Sequence, residues 1–65
     1  MTISERLMKI MKERNISAYT LHKNSGLSRV TIRYIIRGIS KNPRVDTLRA
    51  LAKVLGCTVQ DLAGE

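Results

Sequence analysis

Arg29, Arg33 and Arg37 recur every four residues, with Val30 and Tyr34 beside them. At roughly 100° per residue, helical spacing gathers these side chains along one side of a helix. A guanidinium presents its N–H donors as a rigid planar fork. That fork matches the two acceptors on the edge of guanine, or the oxygens of a phosphate. Ile32, Ile35 and Ile36 fill the neighbouring arc, which spans roughly 100°. The segment therefore reads as a helix with an apolar edge to bury and a basic, hydrogen-bonding edge to present. Only an exposed edge of this kind can enter a groove and reach base edges.

The charge pattern points the same way. Twelve Lys and Arg against five Asp and Glu give a formal charge of +7 over 65 residues. From Asn15 to Val45 there are six bases (Lys23, Arg29, Arg33, Arg37, Lys41, Arg44) and no acid. Such a run is either a solvated surface that aids solubility or an electrostatic footprint for phosphate, and its clustering favours a polyanion partner. Both aromatic residues are Tyr, so a stacking platform for single strands is not expected.

Other classes of function find little support. There is no paired-acid constellation, no Cys and His close in sequence, and no glycine-rich phosphate cradle, so no enzyme is expected. Glu5 and Glu13 read as solubilising charges on a helix surface. His22 is the sole histidine and lies far from the sole cysteine, Cys57, so neither a metal centre nor a cofactor is expected. One cysteine forms no internal disulfide and suits a reducing, cytoplasmic setting. No stretch approaches the ~20 apolar residues of a membrane span. Residues Met1 to Lys12 mix polar and apolar types, unlike a signal peptide. Surface binding to a membrane through the arginine helix is disfavoured, because its apolar side is needed for the core and no Trp or Phe supplies an anchor.

The elements that would hold the arginine edge are all helical. A chain this short makes one domain, residues 1–65, with one small core. Thr2 and Glu5 form a capping-box pattern ahead of a first helix, about Ile3 to Arg14, whose inner face is Ile3, Leu7, Ile10 and Met11. Ser17 caps a second helix, about Ala18 to Asn24. Gly26 suits a tight turn, and Leu27 points inward. Ser28 caps the third helix, about Arg29 to Arg37, stopped by Gly38. A loop over Ile39–Pro43 leads to a fourth helix, about Val45 to Leu55, with Leu48, Leu51, Ala52 and Leu55 inward. Asp46 complements its N-terminal dipole. Thr58 caps a short fifth helix with Val59 and Leu62 inward, and Cys57 is expected in the core.

Two helices joined at Ser25-Gly26-Leu27 form a helix-turn-helix pattern. The segment from Ser17 to Gly38, SAYTLHKNSGLSRVTIRYIIRG, is similar to the core motif of the lambda-repressor/Cro-type, or XRE, family. The similarity continues through Asn42-Pro43, Thr47-Leu48 and Leu51 to Val59, and covers about Ile3 to Leu62. It implies a compact five-helix, all-α fold that binds double-stranded DNA. The third helix would lie in the major groove while the second braces the phosphate backbone. Three positions depart from the family pattern. Ala18 replaces a frequent Gln, His22 stands where Ala is preferred, and Ser25 replaces an apolar residue before the turn glycine.

The resemblance implies base or nearby phosphate contacts for Ser28, Arg29, Val30, Arg33 and Tyr34. It implies a phosphate contact for Thr31, backbone contacts for Lys41 and Asn42, and a place near the minor groove for Arg44. Ser17 and Tyr19 would offer N–H and O–H groups to phosphate. Among the arginines, Arg29 is the first choice as base reader. Arg33 divides evenly between base and phosphate. Arg37 either contacts phosphate or complements the helix C-terminus. Val30 either touches a thymine methyl or is a half-exposed spacer. Tyr34 either donates to base or phosphate, or packs over the loop.

The functional expectation is a sequence-specific transcription regulator, most simply a repressor. It would bind as a homodimer, at least on DNA, with half-sites about one helical turn (~34 Å) apart. The alternative is an antitoxin or anti-repressor that uses the same fold on a protein partner. Ile36 and Ile39 bear on this: they either tuck into the core or mark a partner surface.

Overall fold

Five segments carry their own start and stop signals, and each is a helix in the computed structural model, which describes residues 1–64. Helix α1 spans Ile3–Arg14, α2 Ala18–Ser25, α3 Arg29–Ile36, α4 Val45–Leu55 and α5 Val59–Ala63. There is no strand among the described residues.

The starts follow the side chains. At α1 the Thr2 hydroxyl accepts from the Glu5 amide, and the Glu5 carboxylate accepts from the Thr2 amide. Thr58 and Asp61 repeat this box at α5. Ser17 and Ser28 accept from the amides of Thr20 and Thr31. Each such bond satisfies one of the donors a helix start leaves unpaired. Helix α4 is the exception: Arg44 stands at its N-cap with no side-chain bond, and Asp46 in the first turn faces the positive end of the dipole.

Two boundaries differ by one residue from the sequence expectation. Helix α2 keeps Ser25, because the left-handed Gly26 (φ 77°) is what stops it. Helix α3 ends at Ile36, and Arg37 becomes its C-cap. There the Ser4 hydroxyl of α1 donates to the Ile36 carbonyl, while the amides of Ile39 and Ser40 turn back to Tyr34 O, at 2.9 and 3.0 Å. Those bonds close the helix and fasten its end to α1.

The core is built from one stripe per helix: Leu7 from α1, Leu21 from α2, Ile32 and Ile35 from α3, Leu48, Leu51, Ala52 and Leu55 from α4, and Leu62 from α5. Helix α2 packs against α3 and α4, while α1 packs against α3, α4 and α5. Ile3, Ile10, Met11, Leu27 and Val59 pack around this centre, each partly buried. Cys57 packs against the core as well, as expected. It is half-buried at the rim, where burial first, and then the nearby Asp61, push its thiol pKa up, opposed by Arg14.

Some of the basic charge serves the fold. Arg14 donates through Nη1 to the carbonyls of Leu55 and Gly56, both at 2.7 Å, which caps α4 from the end of α1. The Arg6 guanidinium lies directly on Gly64 at the end of α5; a Cβ there would sit 2.7 Å from its Nε. Both cations sit at helix C-termini, where the dipole favours positive charge.

Candidate nucleic-acid interface

The arginine edge depends on the turn that sets α3 against α2. Gly26 supplies the left-handed conformation there, with φ 77°. Two side chains from α2 then hold Leu27 by both of its backbone groups. The Ser25 hydroxyl accepts from the Leu27 amide at 3.2 Å, and His22 Nδ1 meets the Leu27 carbonyl at 2.6 Å. A carbonyl only accepts, so Nδ1 carries the proton in this pair. His22 and Ser25 thus act together to fix the turn, with the His22 ring half-buried.

Helix α3 divides as its spacing requires. Ile32 and Ile35 are buried against the core. Arg29, Val30, Arg33 and Tyr34 are exposed, with Val30 at 52% and Tyr34 at 46%. Ser28, Ser17, Tyr19, Arg37, Lys41, Asn42 and Arg44 are exposed as well, and Thr31 is half-buried. Ser28 and Thr31 share a hydroxyl–hydroxyl bond of 2.8 Å, and Ser17 and Thr20 one of 3.0 Å. Each pair uses one of its two O–H protons internally, so one remains to donate outward. Beside them, the first amides of α2 and α3 precede the reach of helical bonding and carry the positive end of the dipole. That is chemistry suited to an anion.

The side chains form two groups. Ala18 and Tyr19 from α2 and Arg29, Ile32, Arg33, Ile36 and Arg37 from the third helix and its cap line a shallow groove of about 370 Å³. Its floor is apolar and its rim carries three guanidinium groups. Lys41 and Asn42 lie elsewhere, with Gly38, Ser40 and the residues Met1 to Ser4, around a second groove of about 420 Å³. The phosphate-contact candidates are therefore spread over both the α2–α3 groove and the α3–α4 loop. Ile36 and Ile39 separate: Ile36 is half-buried on the first groove, and Ile39 is 59% exposed.

Lys23 belongs to this surface although base-reading patterns do not mark it. The Tyr19 ring has two cations near it, Lys23 Nζ and Arg29 Cζ, each 5.9 Å from its centroid. Lys23 stands four residues after Tyr19, a spacing that signals the first contact in sequence. The second joins two helices and has no local signal.

The resolved carboxyl shifts lie away from this face. The Thr2 backbone bond, with its hydroxyl, holds Glu5 below the usual carboxylate value, and Thr58 does the same for Asp61. Among the described residues no group of three His, Cys, Asp or Glu could hold a metal ion, and no helix is long and apolar enough to cross a membrane.

Residues 6–64 match the model of the family described as the Cro/C1-type HTH DNA-binding domain. No curated protein and no solved structure gives a match.

Proposed function

Because the chain belongs to the Cro/C1-type HTH DNA-binding domain family, we propose that it is a sequence-specific repressor of transcription that sets α3 in the major groove of double-stranded DNA. The observation that carries this reading is the exposed edge of Arg29, Val30, Arg33 and Tyr34 over the buried Ile32 and Ile35. Eight residues make a helix about 12 Å long, and a helix of about 10–12 Å diameter fits a major groove about 12 Å wide.

On this reading Ser28, Arg29, Val30, Arg33 and Tyr34 meet bases. Arg29 forks onto a guanine, and Val30 packs on a thymine methyl. Ser17, Tyr19, Thr31, Arg37, Lys41, Asn42 and Arg44 meet phosphates, which sets register without reading sequence. Two copies occupy a two-fold symmetric site. Half-sites lie about one helical turn, ~34 Å, apart, and dimerisation completes on DNA. The free thiol of Cys57 suits a reducing cytoplasm.

Selection of sites from a random duplex library, at low and at near-physiological salt, tests the proposal. The expected result is a symmetric motif that survives the higher salt. Binding without any motif, lost as salt rises, would leave only the electrostatic footprint and remove the sequence-reading role.

A second reading, an antitoxin or anti-repressor on a protein partner, draws on one observation: Ile39 stays 59% exposed. Loss of a self-contact or partner contact on replacing Ile39 would favour it.

A further inference from the structure

The Tyr19 ring sits between elements that the DNA-binding reading treats separately. It projects from the first turn of α2, is 57% exposed, and lines the arginine groove. Arg29 opens α3, and its guanidinium carbon lies 5.9 Å from the Tyr19 centroid. Lys23 Nζ lies at the same distance, one helical turn along α2. Both fall within the ~6 Å over which a cation is drawn to an aromatic face.

An arginine alone at a helix start samples many rotamers, and fixing it at a base edge carries an entropic cost of up to ~2 kcal/mol. A ring that already holds the guanidinium removes part of that cost before binding. Arginine suits this role better than lysine, because its plane can stack on the ring while its fork stays free for two acceptors. No acid between Asn15 and Val45 competes within the segment for Arg29. Helix α2 has Ala18 at its first position, too short to brace α3 by hydrogen bonding. The neighbouring Tyr19 reaches across instead.

We propose that Tyr19 is a positioning residue for specificity: its ring holds Arg29 in the orientation that reads a base, with Lys23 the second cation drawn to the same ring. This rests on the reading of Arg29 as a base contact. The ring does the positioning, and the hydroxyl is left for phosphate. The two halves of one side chain thus separate specificity from affinity.

Three variants and two readouts test this. In the free protein, NMR should show the Arg29 δ-methylene protons shifted upfield by the Tyr19 ring, unchanged in Tyr19→Phe and abolished in Tyr19→Leu. Ordinary shifts in the wild type would overturn the Tyr19–Arg29 contact itself. Binding is then measured on the selected duplex and on one with the Arg29-read base pair changed. Tyr19→Leu should lower the discrimination ratio about two- to five-fold, the range of an exposed cation–π contact. Tyr19→Phe should keep the ratio while weakening both duplexes alike. Equal losses on both duplexes in Tyr19→Leu would reduce Tyr19 to a phosphate contact and refute the positioning role. Arg29→Ala should remove the preference altogether. If Arg29→Ala keeps the preference although the upfield shift is present, the base-reading assignment has failed and the role in specificity falls with it, while the Tyr19–Arg29 contact stands as a separate finding.

Discussion

Replacing Lys41 by alanine should change the salt dependence of binding by an amount the geometry sets. Lys41 is exposed beside Asn42 in the loop after α3, apart from the arginine groove. It is one of three cations assigned to phosphates, with Arg37 and Arg44, and all are exposed. No carboxylate occurs between Asn15 and Val45 to neutralise them from within the segment. Each phosphate neutralised contributes about −0.9 to the slope of log K against log salt. Three contacts give about −2.7 for one domain and about −5.4 for a symmetric pair. Between 50 and 200 mM salt the pair would lose affinity by about three orders of magnitude. Lys41→Ala should lower the pair's slope in magnitude by about 1.8, so that the same change of salt costs about tenfold less. Fluorescence anisotropy on the selected duplex and on a random duplex, over that salt range, measures both slopes. The two duplexes should weaken alike. A slope equal to wild type, or a loss confined to the selected duplex, would show that Lys41 does not meet a phosphate.

Three further outcomes follow from the packing and the caps. Leu21→Ala should destabilise the domain by about 2–5 kcal/mol, since Leu21 is fully buried; a chemical-denaturation midpoint within error of wild type would contradict its place in the core. The Glu5 and Asp61 carboxyls are held below their ordinary values by bonds from Thr2 and Thr58. Their stabilisation is therefore full above the unfolded values and is lost as pH falls through the folded ones. Thermal melts from about pH 5 downward should show a shallower decline in a Glu5→Gln, Asp61→Asn double variant than in wild type; parallel declines would show that the boxes are not the acid-sensitive contacts. Ile39→Glu should leave the sedimentation of the free protein unchanged, since the copies pair only on DNA, whereas loss of a self-associated species would assign Ile39 to an interface.

What was legible in the sequence was what is local. Thr2, Ser17, Ser28 and Thr58 each stand where a helix start needs an acceptor, and all four make the expected bond. The arcs of α3 follow from eight residues, with Ile32 and Ile35 in and Arg29 and Arg33 out. Leu21 gave no such signal, because one leucine among the polar residues of α2 makes no period; its burial comes from α3 and α4 closing over it. The ends of α2 and α3 moved by one residue because the left-handed Gly26 stops α2 only after Ser25, and a bond from Ser4 of α1 meets the last carbonyl of α3. Charge was legible as a sum and not as a map. Arg6 and Arg14 count toward the +7 but lie at helix ends, Arg14 bonded to the end of α4, while Lys23 lies beside Arg29 at the Tyr19 ring. Contacts between α2 and α3, such as His22 with Leu27 and Tyr19 with Arg29, depend on the rotation of one helix against the other, which no spacing within either one encodes.

Intermolecular NOEs between the protein and its selected duplex show whether α3 reads DNA from the major groove. The Val30 methyls and the Tyr34 ring should contact thymine methyl and cytosine H5 protons, which lie in the major groove. Contacts confined to minor-groove protons, or confined to α1 and α5 with α3 unperturbed, would contradict it.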